Sequence, residues 1–188
     1  MVSVDTSLKR WIVAPTAPSV LLDRYRGMHR VIAQVLYNRG FDQPDTALRF
    51  LNIQGDPYNP FDLKGMNTAV ARIRQAIKRG ELITVYGDFD ADGVTATALL
   101  TQALRALGAR VKPYIPHRID EGYGLNSEAL VRLAKAGVRV VITVDCGIRS
   151  VEEVEAGRSA GVDMIVTDHH SVGQEIPRAL AVINPKQD

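Results

Sequence analysis

The fold of this chain is decided by residues 82–100, LITVYGDFDADGVTATALL. The first five residues form a short, β-rich and apolar run, typical of a strand buried on both faces of a parallel sheet. Three acids then alternate, Asp88, Asp90 and Asp92, and Gly93 opens an Ala/Leu-rich helical segment. Three like charges at this spacing repel one another, so we expect a cation to compensate them. The stretch predicts a strand, an acidic metal-binding loop and a helix.

The acidic loop can also be interpreted without a metal. Asp92 could be the N-cap of the helix, where a carboxylate accepts backbone N–H bonds. Asp88 and Asp90 could be solvated turn residues, since Asp and Gly are common in loops. A calcium loop is disfavoured, because the Glu expected near the end of a twelve-residue loop is replaced by Ala/Leu sequence.

Strand and helix patterns alternate beyond Gly80, as is typical of a parallel sheet with crossover helices. The predicted strands are 82–87, 110–115, 138–144, 163–167 and 180–183, and the predicted helices are 93–107, 127–136 and 150–160. These units are too few for an eight-stranded barrel. The predicted fold is therefore α/β, with an open, doubly wound and mainly parallel sheet.

The first 80 residues have helical rather than alternating patterns. We expect an extended lead-in over 1–20, helices over 25–39 and 43–51, a proline-rich connector over 56–61 and a helix carrying the apolar stripe Met66, Val70, Ile73 and Ile77. Two domains are predicted: a helical leader, residues 1–80, packing on the catalytic domain, and an α/β catalytic domain, residues 81–188.

Composition narrows the class of protein. With 188 residues, 46% of them hydrophobic, the chain can bury a core in one domain with a small appendage. The net charge of +2 is too mild to demand a nucleic-acid partner, although it allows a local basic groove. Cys146 is the only cysteine, no apolar stretch approaches the roughly 18 residues of a membrane span, and no signal peptide is recognisable. We predict a cytoplasmic protein with no membrane association.

Acids and histidines follow three of the predicted strands directly. The strand 82–87 runs into the three alternating acids, the strand 138–144 into Asp145, and the strand 163–167 into Asp168, His169 and His170. Ligands of open parallel sheets lie at the carboxyl ends of the strands, where the loops converge. We therefore expect these side chains to meet at one edge of the sheet.

This set of side chains suggests a metal-dependent reaction. Carboxylates and imidazoles suit Mn²⁺, Mg²⁺ or Zn²⁺, and the excess of carboxylates favours the first two. Cys146 could be a soft ligand, but its position before Gly147 favours a small residue in a tight turn. Several acids that can bridge ions fit a two-metal centre, and such centres hydrolyse phosphate esters. The sequence therefore predicts phosphoester hydrolysis.

The loop 115–126, IPHRIDEGYGLN, is expected at the same edge. Arg118 could bind a phosphate bidentately, Gly122 and Gly124 would let the backbone approach it, and Tyr123 could stack on a base. Two alternatives remain open. Arg118 could instead pair with a neighbouring acid, Asp120 or Glu121, and the tyrosine could pack against its own loop.

Four ordered segments carry a family resemblance: GDFDADGVTATAL at 87–99, EGYGLN at 121–126, TVDCGI at 143–148 and TDHH at 167–170. Together they resemble the motifs of the DHH phosphoesterase superfamily, and specifically of its RecJ branch. The segments LYNRGF at 36–41, DPYNPFDLKGMNTAVARI at 56–73 and AVINPK at 181–186 resemble the same branch. The resemblance covers nearly the whole chain from about residue 25.

The resemblance implies a hydrolase, an exonuclease that degrades single-stranded DNA from its 5′ end with Mn²⁺ or Mg²⁺, two ions in the complete enzyme, in DNA recombination and repair. It implies that Asp90 and Asp92 are metal ligands and that Asp88 supports them or is a further ligand. Asp145 would be the bridging carboxylate, and His169 a ligand of the second ion.

It also implies roles around the substrate. His170 would face the scissile phosphate, and Asp168 would orient the two histidines. Arg118 and the loop of Gly122, Tyr123 and Gly124 would contact the DNA. A helicase and a single-strand-binding protein are the partners implied beside single-stranded DNA.

Two departures from the family pattern stand out. Related pyrophosphatases have a histidine where this chain has Tyr86, which implies an altered or water-completed metal shell. The family's fourth motif, with a further ligand Asp and a smaller domain, is not reached before Asp188. The resemblance therefore implies an N-terminal fragment whose own activity is weak or absent.

Two rival functions remain. One is another DHH hydrolase, acting on short oligonucleotides, cyclic dinucleotides or pyrophosphate. The other is a non-catalytic nucleotide-binding module, which predicts nucleotide affinity without metal. The second is disfavoured because no G-x-G-x-x-G or Walker A loop follows the first strand.

Overall fold

The structure, a computed structural model, describes residues 12–25, 27–52 and 58–187. The chain divides into two compact units, residues 1–57 and 58–188. The sequence places the boundary after residue 80 instead. The difference arises from one helix, Met66–Arg79, whose Ala69 and Ala76 are buried in the core of the sheet. The predictions for residues 1–11 and for 53–57 of the connector lie outside the described residues.

The first unit is helical, as predicted. It contains α1 (Ser19–Leu22), α2 (Arg30–Asn38) and α3 (Pro44–Leu51). The prediction of extended chain up to residue 20 is wrong at Ser19, where α1 begins. The helix predicted from residue 25 begins five residues later, because the imidazole of His29 accepts the backbone N–H of Val31 and caps α2. A small core of Tyr25, Ala33, Leu36 and Ala47 joins these elements.

The second unit contains one all-parallel sheet, which confirms the predicted fold class. Its strands are β1 (Leu82–Tyr86), β2 (Arg110–Tyr114), β3 (Val138–Val144), β4 (Asp163–Thr167) and β5 (Ala181–Ile183), in the order β2-β1-β3-β4-β5. Its helices are α4 (Met66–Arg79), α5 (Ala91–Ala106), α6 (Ser127–Lys135) and α7 (Val151–Ser159), and a 3₁₀ turn spans Pro60–Asp62.

Helices cover both faces of the sheet. One face packs on α4 and α5 through Ala69, Ala76 and Leu104, and the other packs on α6 and α7 through Leu130 and Val154. The inner strands β1, β3 and β4 are therefore largely buried, which explains their mainly apolar sequences, whereas the edge strand β2 exposes Arg110 and Lys112. Among the described residues, no helix has both the length and the hydropathy that a membrane span requires.

The strand order places the candidate site. The chain runs from β1 to β2 on one side and then crosses to β3 on the other, so the direction of winding reverses between β1 and β3. In doubly wound sheets a ligand binds at the carboxyl ends of the strands beside this reversal. The ends are in register, with Tyr86 opposite Thr143 and Val144 opposite Thr167. The loops after β1, β3 and β4 therefore start side by side.

Arg72 of α4 links the amino ends of β1 and β4. Its Nε donates to Asp163 at the start of β4, and its Nη2 donates to Glu81 just before β1, each at 2.6 Å. The arginine is mostly buried, at 12% side-chain exposure, whereas Asp163 is 45% exposed. Removing a buried partner costs more than removing an exposed one, because it leaves unpaired charge behind.

We expect Arg72→Ala to lower the free energy of unfolding by about 2–3 kcal/mol, less than for a fully buried pair because Asp163 is partly solvated. The matched control is Arg79→Ala on the same helix, whose guanidinium is 61% exposed and lies 3.6 Å from the same Glu81. That change should cost less than about 0.5 kcal/mol. Urea unfolding of the two variants measures both values. Equal losses would show that Arg72 has no special structural role.

Candidate metal centre

The loop after β1 lies tightly against the start of α5. A Cβ on Gly87 would come within 1.9 Å of Thr97 Oγ1, and one on Gly93 would come within 2.6 Å of the backbone nitrogen of Asp88. Helix α5 begins at Ala91, and Asp90 is its N-cap, accepting the N–H of Gly93 at 2.9 Å. The capping alternative considered for Asp92 is therefore wrong by two residues.

The three acids of this loop have different surroundings. Asp88 is fully buried: its Oδ1 accepts the N–H of Phe89 at 2.6 Å, whereas its Oδ2 finds no donor among the described residues. Asp92 is exposed in the first turn of α5 and lines a cavity of about 290 Å³ with Asp145 and His169. A buried carboxylate oxygen without a donor is costly, so Asp88 fits a cation nearby.

The loop after β3 is a strained turn held by Thr143. Asp145 has φ 61°, the only left-handed non-glycine residue of the described chain. The hydroxyl of Thr143 donates to the carbonyl of Cys146 at 2.7 Å, which closes the turn. Gly147 follows at φ 108°, where a side chain would be strained and would press on Thr143 Oγ1. Strain of this kind is common at functional sites, and here it turns the Asp145 carboxylate toward the next loop.

The loop after β4 is organised around Asp168. Its carboxylate accepts the backbone N–H groups of Ile148, His169 and His170 and the Nδ1–H of His170, at 2.7–2.9 Å. Burial alone would raise the pKa of Asp168, but these donors outweigh it and hold the pKa below its ordinary value. Asp168 therefore stays ionised, and it fixes the His170 ring with Nε2 free to face outward.

The structure brings Asp145, His169 and His170 together. One ligand atom from each lies within 4.8 Å of the other two, and His169 Nε2 is 2.7 Å from Asp145 Oδ1. Burial raises the pKa of Asp145, the hydrogen bond from His169 opposes this rise, and the negative charge of Asp90 adds to it. The carboxylate of Asp145 and the imidazole of His169 suit a divalent transition metal such as Mn²⁺, and His170 lies beside them. Together with the Asp88 oxygen that has no donor among the described residues, these groups fit a bound metal.

The loop between β2 and α6 lies beside the acids. The guanidinium of Arg118 sits 5.0 Å above the Phe89 ring, and the ring of Tyr123 meets the same ring edge-on at 6.0 Å. Burial raises the pKa of the Tyr123 hydroxyl, and the negative charges of Asp88 and Asp145 add to this rise. Gly122 and Gly124 both have a φ of 80°, in the left-handed region that favours glycine.

Glu121 anchors this loop. Its carboxylate accepts from the Tyr114 hydroxyl at 2.6 Å, from the backbone N–H of His117 at 2.9 Å, and from Arg132. These donors, first of all the tyrosine hydroxyl, hold the pKa of Glu121 below its ordinary value. Because His117 pairs with Asp120 and Arg132 with Glu121, the acid neighbours proposed as partners of Arg118 are engaged elsewhere.

Comparison with known proteins identifies the family. The model of the DHH family N-terminal domain matches residues 82–188. The chain belongs to the DHH family. It is 45% identical over 158 residues to the single-stranded-DNA-specific exonuclease RecJ of Bacillus subtilis (strain 168), an alignment that covers 84% of this chain and 20% of that protein. The chain thus spans about a fifth of the length of this relative.

Solved structures agree with the family assignment. A crystal structure of exonuclease RecJ bound to manganese superposes with a TM-score of 0.63 and 43% identity, over 69% of this chain and 33% of that one. RecJ from Thermus thermophilus in complex with Mn²⁺ superposes with a TM-score of 0.65 and 32% identity, over 90% of this chain and 24% of that one. The resemblance drawn from the four sequence motifs is confirmed at the level of family and fold.

Sequence patterns do not single out three residues of this DHH-family site: Phe89, Thr143 and Glu121. The signal for Phe89 is an aromatic residue placed between the acids of its loop. Thr143 lies within an apolar strand pattern, and Glu121 enters only as an acid near Arg118. Their roles depend on contacts between loops, which strand and helix periodicity does not report.

Thr143 supplies a test of the turn. The side chain of Thr143→Val keeps its shape but loses the bond to Cys146, so Asp145 is no longer held in place. We expect Mn²⁺ affinity, measured by calorimetry, to fall by about tenfold or more, as when outer-shell partners of metal ligands are removed. Thr143→Ser, which keeps the hydroxyl, should retain affinity.

The matched control is Thr101→Val, since Thr101 is also buried but its hydroxyl has no partner among the described residues. This variant should bind Mn²⁺ as the wild type does. Unchanged affinity in Thr143→Val would show that the turn does not need the hydroxyl.

Proposed function

We propose that this chain provides the core of a metal-dependent centre that hydrolyses phosphodiester bonds of single-stranded DNA. The observation that carries the proposal is the meeting of Asp145, His169 and His170 at the ends of β3 and β4, beside the acids that follow β1. The similarity to RecJ, a single-stranded-DNA-specific exonuclease, supports the choice of substrate.

The cofactor we propose is Mn²⁺ or Mg²⁺, with two ions in the complete centre. Asp145 and His169 would hold metal together with Asp90 and Asp92, and Asp88 would be a further ligand or a support. Two superposable RecJ structures contain manganese, which supports the choice of ion. When bound, such ions lower the pKa of a coordinated water and offset charge on the leaving oxygen.

His170 and Asp168 would act on the phosphate rather than on the metal. Asp168 accepts the Nδ1–H of His170 and thereby leaves Nε2 to face the scissile phosphate, where it can hold a proton against a phosphate oxygen. The three backbone donors to Asp168 keep the pair in one geometry. Asp168 is thus proposed as the orienting residue and His170 as the residue that contacts substrate.

The DNA strand would lie over the loop after β2. Arg118 would bind a phosphate, Gly122 and Gly124 would admit the strand to the backbone, and Tyr123 would stack on a base. The contacts of Arg118 and Tyr123 with Phe89 support this arrangement, because they fix both side chains before the strand arrives. The proposal extends to 5′ to 3′ digestion, to repair and recombination in the cytoplasm, and to a helicase and a single-strand-binding protein as partners.

The metal proposal is tested by Asp145→Asn. Asparagine keeps the size of the side chain but loses the charge, so Mn²⁺ affinity, measured by electron paramagnetic resonance, should fall by more than about tenfold. Asp62→Asn, which changes an exposed acid of the 3₁₀ turn, is the control and should bind normally. Equal Mn²⁺ binding by the wild type and Asp145→Asn would refute the centre.

The DNA proposal is tested by Arg118→Met. Methionine keeps much of the stem but removes the phosphate contact, so affinity for a labelled single strand should fall roughly three- to tenfold at low salt. The control is Arg105→Met, an exposed arginine in the last turn of α5. Fluorescence anisotropy with single-stranded DNA, duplex DNA, a cyclic dinucleotide and pyrophosphate measures the preference. Binding strongest to a cyclic dinucleotide or pyrophosphate would favour the rival DHH hydrolases.

A further inference from the structure

A second cavity shares Asp168 with the 290 Å³ cavity described above. Its volume is about 410 Å³, and we call it the side pocket. The side pocket is lined by Tyr123 and Gly124, by the turn 146–150, by Glu153 of α7, and by Asp168, His170 and Ser171. Its volume falls in the usual range of small-molecule sites. His170 lines it, so an occupant would adjoin the proposed scissile phosphate.

The walls of the side pocket are fixed by hydrogen bonds. Ile148 N–H donates to Asp168 at 2.9 Å, and Arg149 Nε donates to the carbonyl of Ser171 at 2.8 Å. The two bonds join the turn after β3 to the loop after β4. The carbonyl of Cys146 accepts a hydrogen bond from the Thr143 hydroxyl, which fixes its position as well. A pocket formed before binding loses little conformational entropy when a ligand enters.

The lining combines an apolar floor with a polar rim. Cys146 and Ile148, almost fully buried, form the floor, and the Tyr123 ring stands at one side. Ser150 and Glu153 provide hydrogen-bonding groups at the rim. Ser150 occupies the N-cap position of α7, yet its hydroxyl makes no capping bond, so it is available to a ligand. A hydroxyl both donates and accepts, so it can serve any base.

We propose that the side pocket holds the nucleoside of the nucleotide whose phosphate lies at His170. This inference rests on the proposed function and deepens it. An apolar floor with an aromatic side suits a base and a sugar, whereas inorganic pyrophosphate gains nothing from apolar surface. Bare anions are disfavoured further, because Glu153 and Asp168 line the pocket and the Arg149 Nε is engaged with Ser171. Tyr123 then stands between the nucleoside and the Arg118–Phe89 pair.

The test compares a nucleotide with its abasic counterpart on the 188-residue chain with Mn²⁺. The probes are 2-aminopurine deoxyriboside 5′-monophosphate, followed by its fluorescence, and deoxyribose 5-phosphate, used as a competitor. Base stacking of the usual strength predicts at least about fivefold tighter binding of the base-bearing probe. Equal affinities, or no detectable binding of the nucleotide, would overturn the proposal.

Phenylalanine variants test whether the base lies in the side pocket. Ser150→Phe fills the side pocket and should abolish the advantage of the nucleotide over deoxyribose 5-phosphate. Ser159→Phe makes the same change on an exposed residue of α7 and should preserve that advantage. Circular dichroism shows whether Ser150→Phe folds. If it does not, Ser171→Phe replaces it, because Ser171 also lines the side pocket and is exposed. An advantage that survives the pocket-filling variant would place the base elsewhere.

The same titrations separate this proposal from the proposed function. Asp145→Asn should weaken both phosphate-containing probes alike, because it acts on the metal and not on the base. If Asp145→Asn changes neither affinity while Ser150→Phe abolishes the advantage of the nucleotide over deoxyribose 5-phosphate, the side-pocket proposal is supported and the metal centre is refuted. The opposite result refutes the side pocket and leaves the centre intact.

Discussion

The bond from the Thr143 hydroxyl to the Cys146 carbonyl closes the turn on which the candidate centre depends. Because the turn bends back at once after β3, Asp145 takes a left-handed conformation and its carboxylate meets His169. Thr143 also accepts the N–H of Thr167, whose hydroxyl donates back to the Thr143 carbonyl. The ends of β3 and β4 are thereby fixed to each other, and the two loops start from neighbouring, hydrogen-bonded residues.

The acids at this edge are not equivalent, and the difference lies in their donors. Asp168 receives four hydrogen bonds, which satisfies its charge within the protein and lowers its pKa. Asp145 receives one from His169, and Asp88 leaves one buried oxygen with no donor among the described residues. A charge that the protein does not satisfy must be satisfied by something else. In the proposed centre, Asp145 and the acids after β1 are therefore the groups that a metal would satisfy, and Asp168 is left to position His170.

The inner strands could be predicted from the sequence because burial on both faces requires mainly apolar runs. The bounds predicted for β3 and β4 match the structure, and parallel pairing then brings the following side chains to one edge. The roles of helices were harder to predict. The stripe on α4 shows that one face is apolar but not which core receives it, so the predicted domain boundary fell after α4 and not before it.

Contacts between loops could not be predicted from the sequence, for a different reason. Arg118 has acids two and three residues away, and proximity along the chain suggested a pair. In the structure those two acids pair with His117 and Arg132, and Arg118 lies over the Phe89 ring instead. An aromatic partner leaves the guanidinium N–H groups open at the ring edges, whereas a carboxylate would occupy them. The loop therefore presents a positioned cation that no local carboxylate occupies, as the proposed phosphate contact requires.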